Sequence, residues 1–182
     1  MDRASGAMQN LMVITALGHD RPGIVRELSS AVTETGCNIE DSRMSVLGGE
    51  FAILLMISGR WNELAKLESS LPNSARRMGL EVHLRRTAPP ERGEHLLPYT
   101  VEVVALDHPG IVSELANFFA EREINIRDLT TASYAAAHTG TPMFSVLMSI
   151  DVPAGLHIAT LRDEFMEFCD QFNLDAIMEP AK

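Results

Sequence analysis

The sequence predicts an α+β protein made of two βαββαβ units, each an antiparallel sheet with both helices on one face. Three observations carry that expectation. The stretch Gly18-His19-Asp20-Arg21-Pro22-Gly23-Ile24-Val25 returns, degraded, as Ala105-Leu106-Asp107-His108-Pro109-Gly110-Ile111-Val112, displaced by 87 positions. The match runs on through Glu27-Leu28 and Glu114-Leu115, Glu34 and Glu121, Asn38-Ile39 and Asn125-Ile126, and Asp41 and Asp128, so about half the positions from Asp20 to Asp41 are identical in the second copy. Apolar runs and segments of helical period then follow in the same order twice, which is the mark of an internal duplication.

The first unit is expected over 10–86, after a polar leader at 1–9. Leu11 to Leu17 is almost continuously apolar and suits a central strand. From Ile24 the apolar positions Ile24, Leu28, Ala31 and Val32 fall at helical spacing, with Gly36 as the stop. Cys37 to Val46 alternates about Ile39 as an edge strand. Gly48-Gly49 is a hairpin signal, and Phe51 to Ile57 is a second apolar strand. Trp61, Leu64, Ala65, Leu67 and Leu71 space a second helix, expected to break near Pro72 and resume to about Met78. Gly79 stops it, and Leu80 to Arg85 supplies the last strand.

Residues 87–97, with Pro89-Pro90, Gly93 and a cluster of charge, read as a linker. The second unit, 98–182, repeats the order. Strands are expected at Tyr99 to Leu106, Asn125 to Tyr134, Met143 to Val152 and Asp175 to Met178, with helices from Ile111 to Glu121 and around Leu161, Phe165, Phe168 and Phe172. The copies diverge at the hairpin, where Ala135 to Pro142 makes the second about six residues longer. Longer loops at one of two equivalent positions often mark specialisation. This ferredoxin-like order leaves one sheet face and an edge strand free, and two such sheets are expected to join edge to edge.

Composition narrows the function. Apolar residues make up 46% and charged ones 22%, as in a globular chain, and the net charge of −10 opposes direct attraction to nucleic-acid phosphates. Cys37 and Cys169 stand far apart without a Cys-x-x-Cys pattern, which points to a reducing compartment, and no apolar run approaches the roughly 20 residues of a membrane span. A cytoplasmic location is expected. His19, His83, His95, His108, His138 and His157 are scattered without metal-ligand spacing, and no nucleophile and base pair emerges, so neither an enzyme, a metal site nor a cofactor is expected.

The repeated stretch is where strand gives way to helix. Asp20 and Asp107 are expected as N-caps, Pro22 and Pro109 as first-turn residues, and Gly23 and Gly110 as positions where a missing Cβ lets another group approach the helix mouth. That mouth attracts anions. The carboxylate of a small amino acid could meet the amides there while Asp20 or Asp107 receives its ammonium. The candidate ligand-binding residues are Asp20, Arg21, Gly23, Ile24, Asn38 and Ile39, with Asp107, His108, Gly110, Ile111, Asn125 and Ile126 in the second copy. The alternative is architectural: the aspartates cap helices and the glycines permit a tight turn, in a pair that only scaffolds a partner.

Asp-x-Pro-Gly-Ile-Val, a helix and then Gly36-Cys37-Asn38-Ile39, in a βαββαβ frame, resembles the ACT domain family of small-ligand regulatory modules. Val13 to Gly18, Glu40-Asp41-Ser42-Arg43, Leu47-Gly48, Ser58-Gly59 and Trp61-Asn62 sharpen the likeness to the glycine cleavage repressors within that family. The resemblance implies tandem ACT units that bind a small amino acid, glycine or serine, between copies and act through a DNA-binding transcriptional regulator. It also leaves open a stand-alone regulatory subunit of a metabolic enzyme, and whether two chains pair as a homodimer. Similar segments occur attached to formyltetrahydrofolate deformylase and phosphoserine phosphatase, but no catalytic domain is expected beside the pair.

Overall fold

The computed structural model describes residues 10–89 and 95–181. The leader expected at 1–9 and residues 90–94 of the expected linker lie outside the described residues. The chain divides into two compact units, 1–91 and 92–182.

Unit 1 runs β1 (Asn10–His19), α1 (Ile24–Thr33), β2 (Asn38–Leu47), β3 (Glu50–Gly59), α2 (Trp61–Met78) and β4 (Leu80–Thr87). Unit 2 repeats it as β5 (Leu96–Leu106), α3 (Ile111–Ala120), β6 (Asn125–Ala135), β7 (Pro142–Pro153), α4 (Ile158–Gln171) and β8 (Asp175–Pro180). The sheets are four-stranded, ordered β2-β3-β1-β4 and β6-β7-β5-β8, with every pairing antiparallel. The expected α+β class and the βαββαβ order of both units therefore stand.

Period-two alternation fixes which strand face is covered. Met12, Ile14 and Ala16 of β1 and Phe51, Ile53, Leu55 and Ile57 of β3 point inward, where Ile24, Leu28 and Val32 of α1 and Leu64, Leu67, Leu71 and Ala75 of α2 meet them. The opposite face carries Leu17 and Leu54, which stay exposed within this unit. Unit 2 sets an aromatic cluster among the aliphatic residues of its core. The Phe118 and Phe119 rings pack edge to face with centroids 5.3 Å apart, and Phe165 lies 5.2 and 5.3 Å from them.

Four details differ from the sequence reading. Helix α2 continues through Pro72 without a break. A proline inside a helix costs about 3 kcal/mol, but Leu67, Leu71 and Ala75 are buried on either side, and holding that stripe against the sheet offsets the lost bond. Helix α1 ends at Thr33 rather than at Gly36, which instead takes a left-handed φ of 89° in the turn that follows. Strand β5 starts at Leu96, ahead of Tyr99, because Leu96 and Leu97 pair with Pro153 and Val152. Pro22 and Pro109 lie before the helices, not in their first turns.

Gly18 has a packing reason. A Cβ there would sit 2.4 Å from the Gly79 carbonyl oxygen and 2.9 Å from Leu80 Cδ2. Gly48 and Gly49, with φ of 61° and 88°, form the two-residue hairpin in which both central positions need positive φ. Both cysteines are free and buried. Burial, with the Asp170 charge adding to it, pushes the Cys169 thiol up to about 12.

Candidate functional site: the strand-to-helix turns

In unit 1 the joint between β1 and α1 is a type II turn over Arg21-Pro22-Gly23-Ile24. Pro22 presets the first corner, Gly23 takes φ 89° and ψ −6°, and the Ile24 amide donates to the Arg21 carbonyl at 3.4 Å. Gly110 repeats the left-handed geometry in unit 2, with φ 106° and ψ −18°. The glycines themselves are the N-caps. Asp20 and Asp107, expected in that role, stand three residues earlier, and their backbone amides instead donate to the Gly49 and Pro142 carbonyls at 3.0 Å. The intervening turn separates these aspartates from the N-cap, and no side chain caps either helix start.

The first intrahelical bonds run from Glu27 to Gly23 and from Glu114 to Gly110. The amides of Val25 and Arg26, and of Val112 and Ser113, therefore precede the ladder and face out of the helix start. Ile24 and Ile111, each 2% exposed, are core anchors, so any ligand contact at those positions would come from backbone.

The two mouths differ in charge arrangement. In unit 1, Arg21 Nη1 and Nη2 donate to Glu27 Oε1 and Oε2 at 2.8 and 2.7 Å. These bonds hold the Glu27 carboxyl below its ordinary range and raise the Arg21 guanidinium. In unit 2 the counterparts are His108 and Glu114, and among the described residues no ion pair joins them; His108 Nδ1 lies 3.1 Å from the carbonyl oxygen of Pro109. Here the turn borders an open recess of about 570 Å³, lined by Asp107 through Ser113 and by Phe144. Four of the expected residues, Asp107, His108, Gly110 and Ile111, thus come together.

Asn38 and Asn125 are exposed at the starts of the edge strands β2 and β6, and Ile39 and Ile126 pack as half-buried flanks of their cores. Both strands bulge immediately afterward, at Glu40 and Arg127. At the first bulge, Asn38 Nδ2 donates to Glu40 Oε1 at 3.0 Å and Ser58 Oγ donates to the same oxygen. At the second, Arg127 grips Asp151 at 2.6 and 3.1 Å.

The Ser58 hydroxyl first, and the Asn38 amide second, hold the Glu40 carboxyl below the usual carboxylate range. A depressed carboxyl stabilises the fold fully above its unfolded-chain value and loses that contribution as pH falls through the folded value. Ser58→Ala should therefore raise the Glu40 titration midpoint toward the ordinary value, read by NMR of the side-chain carbonyl. A midpoint that stays put would mean the hydroxyl bond does not set it.

Sequence reasoning passed over Glu27 as a site residue, although its recurrence as Glu114 was visible, and it passed over Phe144, which no motif marks. The hairpin difference is real: the chain between paired Asn125 and Asp151 is six residues longer than between Asn38 and Ser58. Through the bond from Asp107 to Pro142, that longer hairpin adjoins the unit 2 turn. Among the described residues no His, Cys, Asp and Glu cluster could hold a metal, and no helix is long and apolar enough to cross a membrane.

Known proteins share this arrangement. Family models for the ACT domain match residues 10–85 and 99–151. The glycine cleavage system transcriptional repressor of Escherichia coli (strain K12) is 32% identical over 165 residues, 91% of this chain and 87% of its own, and that of Shigella flexneri matches to the same extent. A crystal structure of a candidate glycine cleavage system transcriptional repressor superposes with a TM-score of 0.73 at 31% identity, covering 97% of this chain and 99% of that one. With both units matched and a relative of this identity spanning nearly the whole length, the chain belongs to the ACT domain family, as a tandem pair resembling the glycine cleavage system transcriptional repressor.

Proposed function

We infer that the protein is an amino-acid-responsive regulator. A small zwitterion, glycine or serine, binds at an Asp-x-Pro-Gly turn, and its presence is passed to a DNA-binding regulator protein. The observation that carries this reading is the duplicated turn with outward amides beside Asp20 and Asp107, opening in unit 2 onto a recess. Amides and helix dipole suit the ligand carboxylate, and an aspartate suits its ammonium. The relatives' name supplies the regulatory class. The charge of −10 favours action through a protein rather than on DNA.

A coupling of about 1–3 kcal/mol would shift partner affinity roughly 5- to 150-fold. Calorimetric titration with glycine and with serine should give saturable heat with a dissociation constant of about 1 μM to 1 mM. Asp107→Ala, or the matching Asp20→Ala where unit 1 is the occupied turn, should weaken it roughly tenfold. Absence of saturable heat with either amino acid would leave a ligand-free interaction pair as the reading.

A further inference from the structure

We propose that the two turns are unequal, with unit 1 held closed by its own Arg21–Glu27 pair and unit 2 taking the amino acid. This rests on the amino-acid reading above and says which mouth is used and what closes the other.

A zwitterion brings one carboxylate and one ammonium. At the unit 1 mouth the chain already supplies one cation and one anion in a bidentate pair, at 2.8 and 2.7 Å, with both side chains about a third exposed. Glu27 Oε1 stands 3.8 Å from where a Cβ of Gly23 would be, so the carboxylate lies over the glycine that an incoming group would have to approach. A ligand carboxylate arriving there meets a like charge. Its natural partner, the Arg21 guanidinium, has both of these donors committed. Binding must first part the pair and leave each member to find another partner.

Unit 2 lacks this plug. At the position equivalent to Arg21 stands His108, whose ring turns to the neighbouring Pro109 carbonyl at 3.1 Å. Glu114, the residue equivalent to Glu27, is not among those that line the recess. Space also differs: nothing lies within 4 Å of a Cβ built on Gly110, and the recess beside it is bounded by Phe144 from β7. The duplication therefore retained the left-handed glycine of both mouths, while the exchange of Arg21 for His108 gives the first a bidentate ion pair that the second lacks among the described residues.

The test is an NMR titration of the full chain with glycine and, separately, with serine, following amides at 21–27 and at 108–114. In the unaltered protein the unit 2 set should saturate at concentrations at least roughly tenfold lower than the unit 1 set. In Glu27→Gln, which keeps the shape of the side chain and removes its charge, the unit 1 set should gain and the ratio fall below about threefold. Arg21→Gln leaves the Glu27 carboxylate unneutralised over Gly23 and removes the cation, so there the unit 1 set should not gain. Equal saturation of both sets in the unaltered protein, or saturation of unit 1 alone, overturns the inference while keeping the amino-acid reading. A ratio unmoved in Glu27→Gln, or one narrowed as much by Arg21→Gln, also overturns it. No saturable change in either set removes the amino-acid reading and this inference with it.

Discussion

Phe165→Ala is expected to destabilise unit 2 by about 3–5 kcal/mol, the range for removing a buried phenylalanine ring. Phe165 is fully buried, within 5.3 Å of both Phe118 and Phe119, and it also stacks toward Phe168 at 6.4 Å. Three aromatic partners lose a neighbour at once, and rings held by α3 and α4 cannot collapse into the vacated volume without moving whole helices. For a unit of this size the thermal midpoint should fall by roughly 15 °C or more, read by circular dichroism of the full chain. A fall of only a few degrees would mean that the ring cluster relaxes freely and that unit 2 is held chiefly by its sheet.

Gly18→Ala is expected to cost about 1–3 kcal/mol, although the residue is not at a left-handed position and alanine is a modest addition. The reason is contact with backbone. The new methyl group would sit 2.4 Å from the Gly79 carbonyl oxygen, in the cap that ends α2 and starts β4. Flexible side-chain atoms could swing aside, but Gly79 is itself held at φ 76° and its amide donates to Ala75 and Arg76 carbonyls. The strain should therefore pass into the pairing of β1 with β4. Amide hydrogen exchange should quicken at Leu80 to Leu84 relative to the β1–β3 ladder. Uniform exchange across both ladders would place the damage elsewhere.

Elements were legible in the sequence wherever burial followed a simple period. Met12, Ile14 and Ala16 alternate because β1 has one covered face, and Ile24, Leu28 and Val32 recur because α1 buries one stripe. The duplication made the second unit readable from the first. Pro72 misled because a breaker is a local signal, whereas the stripe that overrides it is made with residues distant in sequence. Asp20 misled because an aspartate before a helix looks alike whether it caps or stands a turn away. Of the candidate residues named from the sequence, Asp107, His108, Gly110 and Ile111 border a recess in unit 2, whereas Asn125 and Ile126 do not line it. The Arg21–Glu27 pair spans the turn at a spacing no helix rule flags, and the joining of Asn38, Glu40 and Ser58 depends on a bulge with no mark in the sequence.

The buried thiol of Cys169 has a practical corollary. With its proton held to about 12, it presents almost no nucleophile to an alkylating reagent in neutral buffer while the helix is seated on its sheet. Modification of that sulfur must wait for unit 2 to breathe, so the pace of its labelling serves as a built-in clock for opening events, with no foreign probe attached.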